Sequence, residues 1–264
     1  MARKKSFLYL LPLSLALSFG LAATSSFPTL VQAQISQPDA NAQGQGVGGN
    51  WNAFNPPSTG LPGGRQEGGG VRGPCPNGSE QITALSPQTN AGLTASALPK
   101  FYLYVPATIS LPMEFTLSEF TDANNEENEK EVYQTTFSLT GTPGVISVSM
   151  PEGAPPLEVG KNYYWSFSLL CQNNAPEASI IRGGWIKRSE LSPKLLQELE
   201  SAKAIDRPSI YAREAIWFDT VSSLAELRRL EPDDATVAKN WEELLNSVEL
   251  GNLANAPFVD TTQP

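Results

Sequence analysis

Between residues 80 and 188 the apolar side chains mostly recur at every second position, which is the period of a β-strand. Seven segments with this period are predicted as strands: 81–86, 100–106, 113–120, 131–139, 145–150, 162–171 and 179–188. Proline, glycine and asparagine turns separate them. Seven short strands in about 110 residues are typical of an antiparallel β-sandwich of the immunoglobulin or fibronectin type III kind. We therefore expect a β-sandwich domain over residues 75–190.

The strand predicted at 162–171 carries four aromatic residues within five consecutive positions. Alternation places one set of side chains on a common face: Tyr163, Trp165, Phe167, Leu169 and Cys171. The other face offers Tyr164 as its single ring, whereas a carbohydrate platform needs its rings on the exposed face, so we interpret the aromatic cluster as core. The spacing of Leu157, Gly160 and Tyr163 predicts a tyrosine corner, in which the tyrosine hydroxyl bonds to upstream backbone.

Beyond residue 190 the apolar period becomes helical. Segment 192–202 begins with Ser192 as the expected N-cap and Pro193 in the first turn. Its apolar face is predicted to carry Leu195, Leu196, Leu199 and Ala202. Segment 206–234 predicts two helices that end before Pro232, and 233–250 predicts another. The apolar face of that last helix is predicted to carry Trp241, Leu244, Leu245 and Val248. We expect a helical subdomain over residues 191–250, followed by a tail at 251–264.

The middle of the helical region weakly resembles one tetratricopeptide unit, at Tyr211, Leu224 and Pro232. No second copy occurs at the expected period. Because stacked repeats are needed to build a peptide-binding superhelix, we interpret the segment as a helical hairpin packed against the sandwich. A docking element is the alternative interpretation.

The amino terminus indicates export. A basic MARKK segment precedes an apolar run from Phe7 to Ala23, and a small-residue exit ends at Ala33, as in a secretory signal peptide over residues 1–33. An uncleaved membrane anchor is the alternative, since the run approaches the shortest spanning length. Pro12 and the V-Q-A exit favour cleavage. We expect a periplasmic or extracellular protein with no transmembrane segment after cleavage.

Residues 34–74 are rich in glycine, proline, asparagine and glutamine. Such a composition buries too little apolar surface to offset the entropy of ordering the chain, so we expect a disordered arm. Trp51 and Phe54 are exceptions, and we interpret them as incidental aromatic residues on a free tether rather than as docking groups.

Charge and composition exclude several functions. Removing residues 1–33 takes away three basic residues and no acidic one, so the net charge falls from −9 to −12. A chain this acidic is repelled by phosphate backbones, which excludes nucleic acid as a partner. The sequence contains no histidine, which excludes Ser-His-Asp and Cys-His catalysis and imidazole-ligated metals. We expect no cofactor and no metal site.

The two cysteines, Cys75 and Cys171, are predicted to form one structural disulfide, since an exported chain meets oxidising conditions. A redox-active pair is the alternative, but the chain lacks a C-x-x-C motif. The acidic loop 121–131 alternates oxygen-bearing side chains that could suit calcium. The places for the EF-hand glycine and glutamate hold Glu127 and Tyr133, so we interpret the loop as a solvated hairpin.

A set of motifs in a fixed order resembles an uncharacterised family of exported cyanobacterial proteins, a domain of unknown function. The motifs are GGGVRGPCP (68–76), GLTASALPKFYLYVP (92–106), VYQTTFSL (132–139), PGVISVSMP (143–151), PPLEVGKNYYWSFSLLC (155–171), GGWIKR (183–188) and YAREAIWFDTVSSLAELRR (211–229). The resemblance implies export but no catalytic residues. It also implies a glycine near Ala215, and alanine there is expected to lengthen or tilt the preceding helix.

Three functions remain from the sequence. The first is a non-catalytic interaction module of the cell envelope that binds another protein, by analogy with other sandwich domains. The second is a carbohydrate-binding module that binds polysaccharide, with Arg182 and Trp185 as the candidate binding residues. The third is a glycan hydrolase with two acting carboxylates. Its candidates are Glu114, Glu119, Glu158 and Glu190. Nothing in the sequence selects a pair among them, so no catalytic residue is assigned.

Overall fold

Within the residues that the structure describes, the chain forms eight strands followed by four helices, and each of the seven predicted strand segments contains or overlaps one of these strands. The computed structural model describes residues 51–54, 75–106, 109–121, 128–171 and 179–261. The strands are β1 (Thr83–Ala84), β2 (Ala91–Thr94), β3 (Lys100–Val105), β4 (Pro112–Phe120), β5 (Glu129–Ser138), β6 (Gly144–Ser149), β7 (Asn162–Leu170) and β8 (Ser179–Arg188). The helices are α1 (Pro193–Ser201), α2 (Arg207–Arg213), α3 (Trp217–Leu230) and α4 (Ala235–Asn246).

The strands make two sheets, one in the order β1-β3-β6 and one in the order β2-β8-β7-β4-β5. All neighbours pair antiparallel except β2, which runs parallel to β8. The sheets contact each other through aromatic rings. The ring of Phe101 on β3 lies 4.8 Å from that of Phe115 on β4 and 5.4 Å from that of Trp165 on β7. The apolar faces of both sheets therefore share one core.

The strand β7 supplies core residues to the larger sheet. Tyr163, Trp165, Phe167 and Leu169 are all at most 2% exposed, as the alternating pattern predicted. The backbone N–H of Glu158 donates to the hydroxyl oxygen of Tyr163 at 3.0 Å. The predicted tyrosine corner is thus confirmed, and it ties the start of β7 to the loop before it.

The helix α1 begins as predicted. The backbone N–H of Leu195 donates to the hydroxyl oxygen of Ser192 at 3.2 Å, which satisfies one of the free donors of the first turn. Leu195 and Leu199 are buried. The prediction was wrong for Leu196, which is 46% exposed, because the buried face of this helix is narrower than the apolar set in the sequence. Trp241, Leu244 and Leu245 on α4 are buried as predicted, and so is Val248, which lies just beyond the end of that helix.

The turn between α2 and α3 explains why a glycine was expected near Ala215. Ala215 has a φ of 56°, in the left-handed region that favours glycine. The N–H of Ile216 donates to the carbonyl of Tyr211, and the N–H of Ala215 donates to that of Ala212, both at 3.0 Å. These two bonds form a Schellman motif. The expected lengthening of the helix is wrong, because α2 ends at Arg213 despite the alanine.

The helix α3 packs against the side of the two sheets. The strand β1 pairs with Leu103 and Tyr104, and the N–H of Leu85 just after it donates to Tyr102 O at 3.0 Å. No strand pairs with Lys100 and Phe101 on that side within the described residues. Phe218 of α3 lies there, with its ring 5.5 Å from that of Phe101. A Cβ at Gly92 of β2 would lie 2.9 Å from the Phe218 ring, so this glycine permits the contact. The helix α3 therefore covers the edge strand β2 of the larger sheet and part of the edge of β3 in the smaller sheet.

Part of the arm expected to be disordered and part of the predicted tail are packed where the structure describes them. Trp51–Phe54 forms a turn of 3-10 helix, and both aromatic side chains are 6% exposed. Our interpretation of these two residues as incidental is therefore wrong, while the rest of the predicted arm lies outside the described residues. In the predicted tail, the carbonyl oxygen of Pro257 accepts the N–H of Val145 on β6, and the N–H of Val259 donates to the carbonyl oxygen of Val145. Residues 257–259 thus line the free edge of β6.

Candidate functional site

A polar cleft lies where β1, β8 and the end of α4 converge. We call it the β1–β8 cleft. Its volume is about 330 Å³, near the lower end of the range for small-molecule sites. It is lined by Ile82, Thr83, Ala84, Ser86, Gln88, Asn90, Arg182, Gly183, Val248, Glu249 and Leu250. The lining brings together three chain segments that are far apart in sequence, so the cleft exists only in the folded protein.

Arg182, a residue selected from the sequence, lines this cleft. It pairs with Phe167 across the β7–β8 ladder and so lies on the inward side of the larger sheet. Its Nε donates to Ile82 O at 2.7 Å, and its Nη1 donates to Ile181 O at 3.0 Å. Both acceptors are backbone carbonyls, and these two bonds fix the orientation of the guanidinium at the wall of the cleft.

Asn90 shapes the cleft next to Arg182. Asn90 is 5% exposed and has a φ of 51°, a conformation that asparagine tolerates better than most residues. Its side-chain Oδ1 accepts the Ser86 hydroxyl at 3.3 Å, and its carbonyl accepts the N–H of Trp185 at 2.6 Å. A Cβ at Gly184 would lie 2.8 Å from the Asn90 carbonyl oxygen, so glycine is required for this close approach. The GGW segment of β8 thus positions one wall of the cleft.

Glu249 supplies the carboxylate of the lining and stands in a strained position. It follows α4 with a φ of 64°. The N–H of Leu250 donates to Leu245 O at 2.8 Å, and the N–H of Glu249 donates to Asn246 O at 3.2 Å, which is again a Schellman motif. Glycine is the usual residue here, and a side chain in the left-handed conformation costs on the order of 1 kcal/mol. The chain nevertheless carries glutamate at this position.

Trp185, the second residue selected from the sequence, lies elsewhere. It is separated from Arg182 by an odd number of positions along β8, so the two side chains project from opposite faces of the sheet. Trp185 is 4% exposed. Its ring packs edge-on against the rings of Phe120 at 5.1 Å and Tyr164 at 5.2 Å. A ring this covered presents no face on which a sugar can stack, and the structure does not bring Arg182 and Trp185 into one site.

Two of the four candidate carboxylates meet at one lysine. Glu119 and Glu158 both contact Lys161 Nζ, at 2.9 and 2.7 Å. The two carboxylates raise the pKa of the Lys161 ammonium. The two carboxylates share one ammonium partner, so nothing in this geometry separates an acid from a nucleophile as a glycosidase requires. The arrangement is that of an exposed ion-pair network.

Asp219 is a titratable residue that the sequence analysis did not single out. Its Oδ2 accepts the Thr94 hydroxyl at 2.8 Å and the Ala95 N–H at 2.9 Å. Burial raises the pKa of Asp219, while these hydrogen bonds partly oppose the rise. Both bonds join the first turn of α3 to the end of β2. We therefore assign Asp219 a positioning role in the fold rather than a place in a binding site.

Sequence analysis missed Asn90 and Glu249 as parts of the cleft. A weak signal for Asn90 exists, because asparagine soon after Pro87 is typical of a turn with a left-handed residue. Glu249 gave no signal, since the helical period extends to residue 250 in the sequence and conceals the end of α4 at Asn246. Their closeness to Arg182 depends on tertiary packing.

A family model described as Domain of Unknown Function (DUF928) matches residues 67–258. The chain belongs to this family. The DUF928 match spans the eight strands and four helices of the described residues and ends at residue 258, within the segment that lines β6. The two sheets and the packed helices are therefore both parts of the family domain. The Trp51–Phe54 turn lies outside the matched range.

No curated protein matches this chain. Among solved structures, a β-glucosidase from Listeria innocua in complex with gluconolactone shows a likeness over 42% of this chain and 16% of that one. The identity is 7% and the TM-score is 0.24. The likeness thus spans a small part of the glucosidase, and values this low support no inference about the DUF928 chain.

In the described part of the DUF928 chain, none of the helices combines the length and apolarity needed to cross a bilayer. The same described residues contain no group of three or more metal-ligating side chains. Residues 122–127 of the acidic loop lie outside the described residues. The structure therefore tests neither the calcium hypothesis nor the interpretation of the loop as a solvated hairpin.

Proposed function

We propose that this chain is a non-catalytic module of a bacterial cell envelope, exported to the periplasm or beyond, that binds another protein by strand addition to the edge of β5. The proposal rests on the observation that the outer edge of β5 is long and has no neighbouring strand in the described part of the chain. Of the four sheet edges, β1 is two residues long, β2 is covered by α3, and β6 is lined by residues 257–259. The ten residues of β5 pair with β4 alone in the described part of the chain.

The composition of β5 supports a protein partner. Glu129, Lys130 and Glu131 are exposed charges of the kind that protect an edge strand. After an irregularity in the register near Leu117 and Ser118 of β4, the segment from Val132 to Phe137 carries no charge. An open strand edge recognises the N–H and C=O groups of another polypeptide, which a polysaccharide does not have. Because Glu129 and Glu131 flank this segment, we expect a partner strand that is uncharged at its centre and basic at one end.

The strand order supports an immunoglobulin-like assignment, which we propose as the fold type. In immunoglobulin lettering, β1, β3 and β6 would be strands A, B and E, and β8-β7-β4-β5 would be the G-F-C-C′ sheet. The tyrosine corner then falls on strand F, as in immunoglobulin domains. On the sequence motifs quoted above, we also propose a cyanobacterial source and export by a signal peptide cleaved after Ala33.

The test uses a photo-reactive amino acid at Gln134 on β5 in living cells. The matched control carries the same group at Glu200, an exposed residue of α1. We expect a discrete protein adduct from position 134 and none from position 200. An adduct that glycosidases degrade and proteases leave intact would favour the carbohydrate-binding alternative instead. Equal adducts from both positions would contradict recognition at β5.

Two proline variants sharpen the test. Alternate residues of an edge strand direct their N–H groups toward the neighbouring strand and away from it. One of Thr135→Pro and Thr136→Pro therefore removes a ladder bond and lowers the Tm, while the other removes only an outward donor. We expect the variant that keeps its Tm to lose the adduct at Gln134. Retention of the adduct in that variant would show that the edge is not the binding surface.

A further inference from the structure

The segment Trp51–Phe54 presents both of its aromatic side chains to one surface. These four residues form a turn of 3-10 helix, which has about three residues per turn, so positions three apart lie on the same side of it. Both aromatic side chains are 6% exposed. A W-x-x-F sequence in this conformation is therefore a compact pair of anchors, of the kind that a short helical peptide inserts into a partner protein.

Three helices build the surface that receives the two anchors. The Phe54 ring packs edge-on against Trp217 of α3 at 4.8 Å, and Trp51 Nε1 donates to Glu243 Oε2 of α4 at 3.2 Å. The helix α2 lies beside the turn. We call this surface the arm-docking site. It combines apolar contact with a hydrogen bond from an indole N–H to a carboxylate, which selects tryptophan over phenylalanine at the first anchor.

Contacts outside the arm hold both receiving side chains. Trp217 Nε1 donates to Leu85 O at 3.1 Å, which ties its ring to the segment after β1. Lys239 Nζ lies 3.6 Å from Glu243 Oε1, while the indole of Trp51 uses the other carboxylate oxygen. A site that is oriented by its own protein binds a ligand with a smaller loss of conformational entropy.

The two anchors and the arm-docking site belong to different parts of the chain. The helices α2, α3 and α4 lie within the residues 67–258 matched by the DUF928 model, whereas Trp51–Phe54 precedes that range. Residues 55–74 join the turn to Cys75. The arrangement is that of a ligand tethered to its own receptor, for which a short linker gives an effective concentration on the order of 1 mM.

We propose that the arm-docking site is a peptide-recognition site for the pattern W-x-x-F, and that Trp51–Phe54 is its resident occupant. A polypeptide segment with the same pair of aromatic residues displaces the resident turn and takes its place. The arm thus controls access to the site, because an incoming segment must compete with a tethered one. This inference does not depend on the strand addition proposed for β5.

The first experiment measures binding of a fluorescently labelled peptide with the sequence of residues 48–57, GGNWNAFNPP. It is titrated against the full chain and against the full-chain variant Trp51→Ala/Phe54→Ala, in which the site is emptied. We expect the variant to bind with a Kd of about 10 µM. The wild type should then bind about a hundredfold more weakly, because the resident turn competes at about 1 mM. A peptide with alanine at both aromatic positions is the control and should not bind.

A double-mutant cycle in the emptied variant tests the hydrogen bond to the indole. Glu243→Ala is expected to weaken binding of the labelled peptide about tenfold, the loss of a hydrogen bond to a charged group. Glu242→Ala is the matched control, since Glu242 is an exposed neighbour on the same helix. A peptide with phenylalanine in place of the tryptophan lacks the N–H donor, so Glu243→Ala should leave its affinity unchanged.

Cleavage of the tether keeps the test decisive if the emptied variant fails to fold. A recognition sequence for a specific protease is inserted between Thr59 and Gly60 of the full chain, and the folded protein is then cut there. Every residue of the turn and of the arm-docking site is retained, but docking is no longer intramolecular. We expect the cut arm to dissociate on dilution below its Kd and the labelled peptide to enter in its place.

Three results would overturn the proposal. The first is that neither the emptied nor the cleaved protein binds the labelled peptide better than it binds the alanine control. The second is a cut arm that stays bound at nanomolar concentration and does not exchange, which would make the turn a fixed part of the core. The third is a wild-type dimer at micromolar concentration that Trp51→Ala/Phe54→Ala abolishes, which would assign the arm to a second copy of the chain.

Discussion

Ala215 and Glu249 occupy the same left-handed position in two Schellman motifs, one after α2 and one after α4. Side chains other than glycine are costly there because the Cβ approaches the following carbonyl oxygen. The Ala215 side chain lines no cleft described above, whereas the Glu249 side chain lines the β1–β8 cleft. The same conformational cost thus accompanies a cleft-lining side chain after α4 and a turn between two helices after α2.

We predict that Ala215→Gly stabilises the protein. The left-handed conformation costs alanine about 1–2 kcal/mol, and the greater unfolded-state entropy of glycine returns about 0.5–1 kcal/mol of this, so a net gain of roughly 0.5–1 kcal/mol is expected. Urea unfolding measures it. Ala238→Gly in the interior of α4 is the control and should destabilise by about 1 kcal/mol. A loss of stability in Ala215→Gly would contradict the conformation assigned to this residue.

At the residue scale, sequence reasoning succeeded where the pattern of apolar residues itself indicates which side chains are buried. Tyr163, Trp165 and Phe167 were placed in the core because alternation along a strand fixes which face a residue lies on. It failed for Leu196, whose exposure depends on how far α1 wraps around its neighbours. It also failed for Glu249, because no feature of the sequence predicts a positive φ at a glutamate.

At the scale of elements, the long strands and helices were predictable and the short ones were not. Each predicted strand from 100 to 188 overlaps an observed strand, with ends that agree within two residues. The strand β2 was missed because its four residues are too few to display a period, and Gly92 interrupts them. The parallel pairing of β2 with β8 depends on a partner about ninety residues away, which no local pattern encodes.

The turn at Trp51–Phe54 is the element that most changes the expected organisation. The Phe54 ring packs edge-on against Trp217 of α3 at 4.8 Å, and Trp51 Nε1 donates to Glu243 Oε2 of α4 at 3.2 Å. Two aromatic residues in a polar segment gave no indication of their partners. They contact helices that begin more than 150 residues later in the chain.

We predict that Phe54→Ala lowers the free energy of unfolding by about 3–5 kcal/mol, since a buried aromatic ring is lost and a cavity remains. Urea unfolding monitored by tryptophan fluorescence measures the change. Phe258→Ala is the control, because Phe258 is only half-buried although it also contacts a tryptophan, Trp241 at 5.5 Å. It should cost less. Equal stability of Phe54→Ala and the wild type would show that the turn does not dock in solution.

At the scale of the whole molecule, the disulfide joins the segment before β1 to the end of β7. Cys75 and Cys171 are bonded with a sequence separation of 96, as predicted from the cysteine count. Cys75 precedes β1, and Cys171 directly follows β7. Closing a loop of this length stabilises the folded state by about 4–5 kcal/mol in the chain-entropy description. Structural disulfides are common in oxidising compartments and rare in reducing ones.

The disulfide therefore offers a test of export as well as of stability. We predict that the two thiols are oxidised in cells that express the full chain and reduced when residues 2–33 are deleted, because the chain then stays in a reducing compartment. Thiol-specific alkylation with a mass tag, before and after reduction, measures both states. The double variant Cys75→Ser/Cys171→Ser is the control and should show no tag in either case. Its Tm should match that of reduced wild-type protein. Free thiols in cells that express the full chain would contradict export, and an oxidised pair in the deletion variant would remove the link between the bond and the compartment.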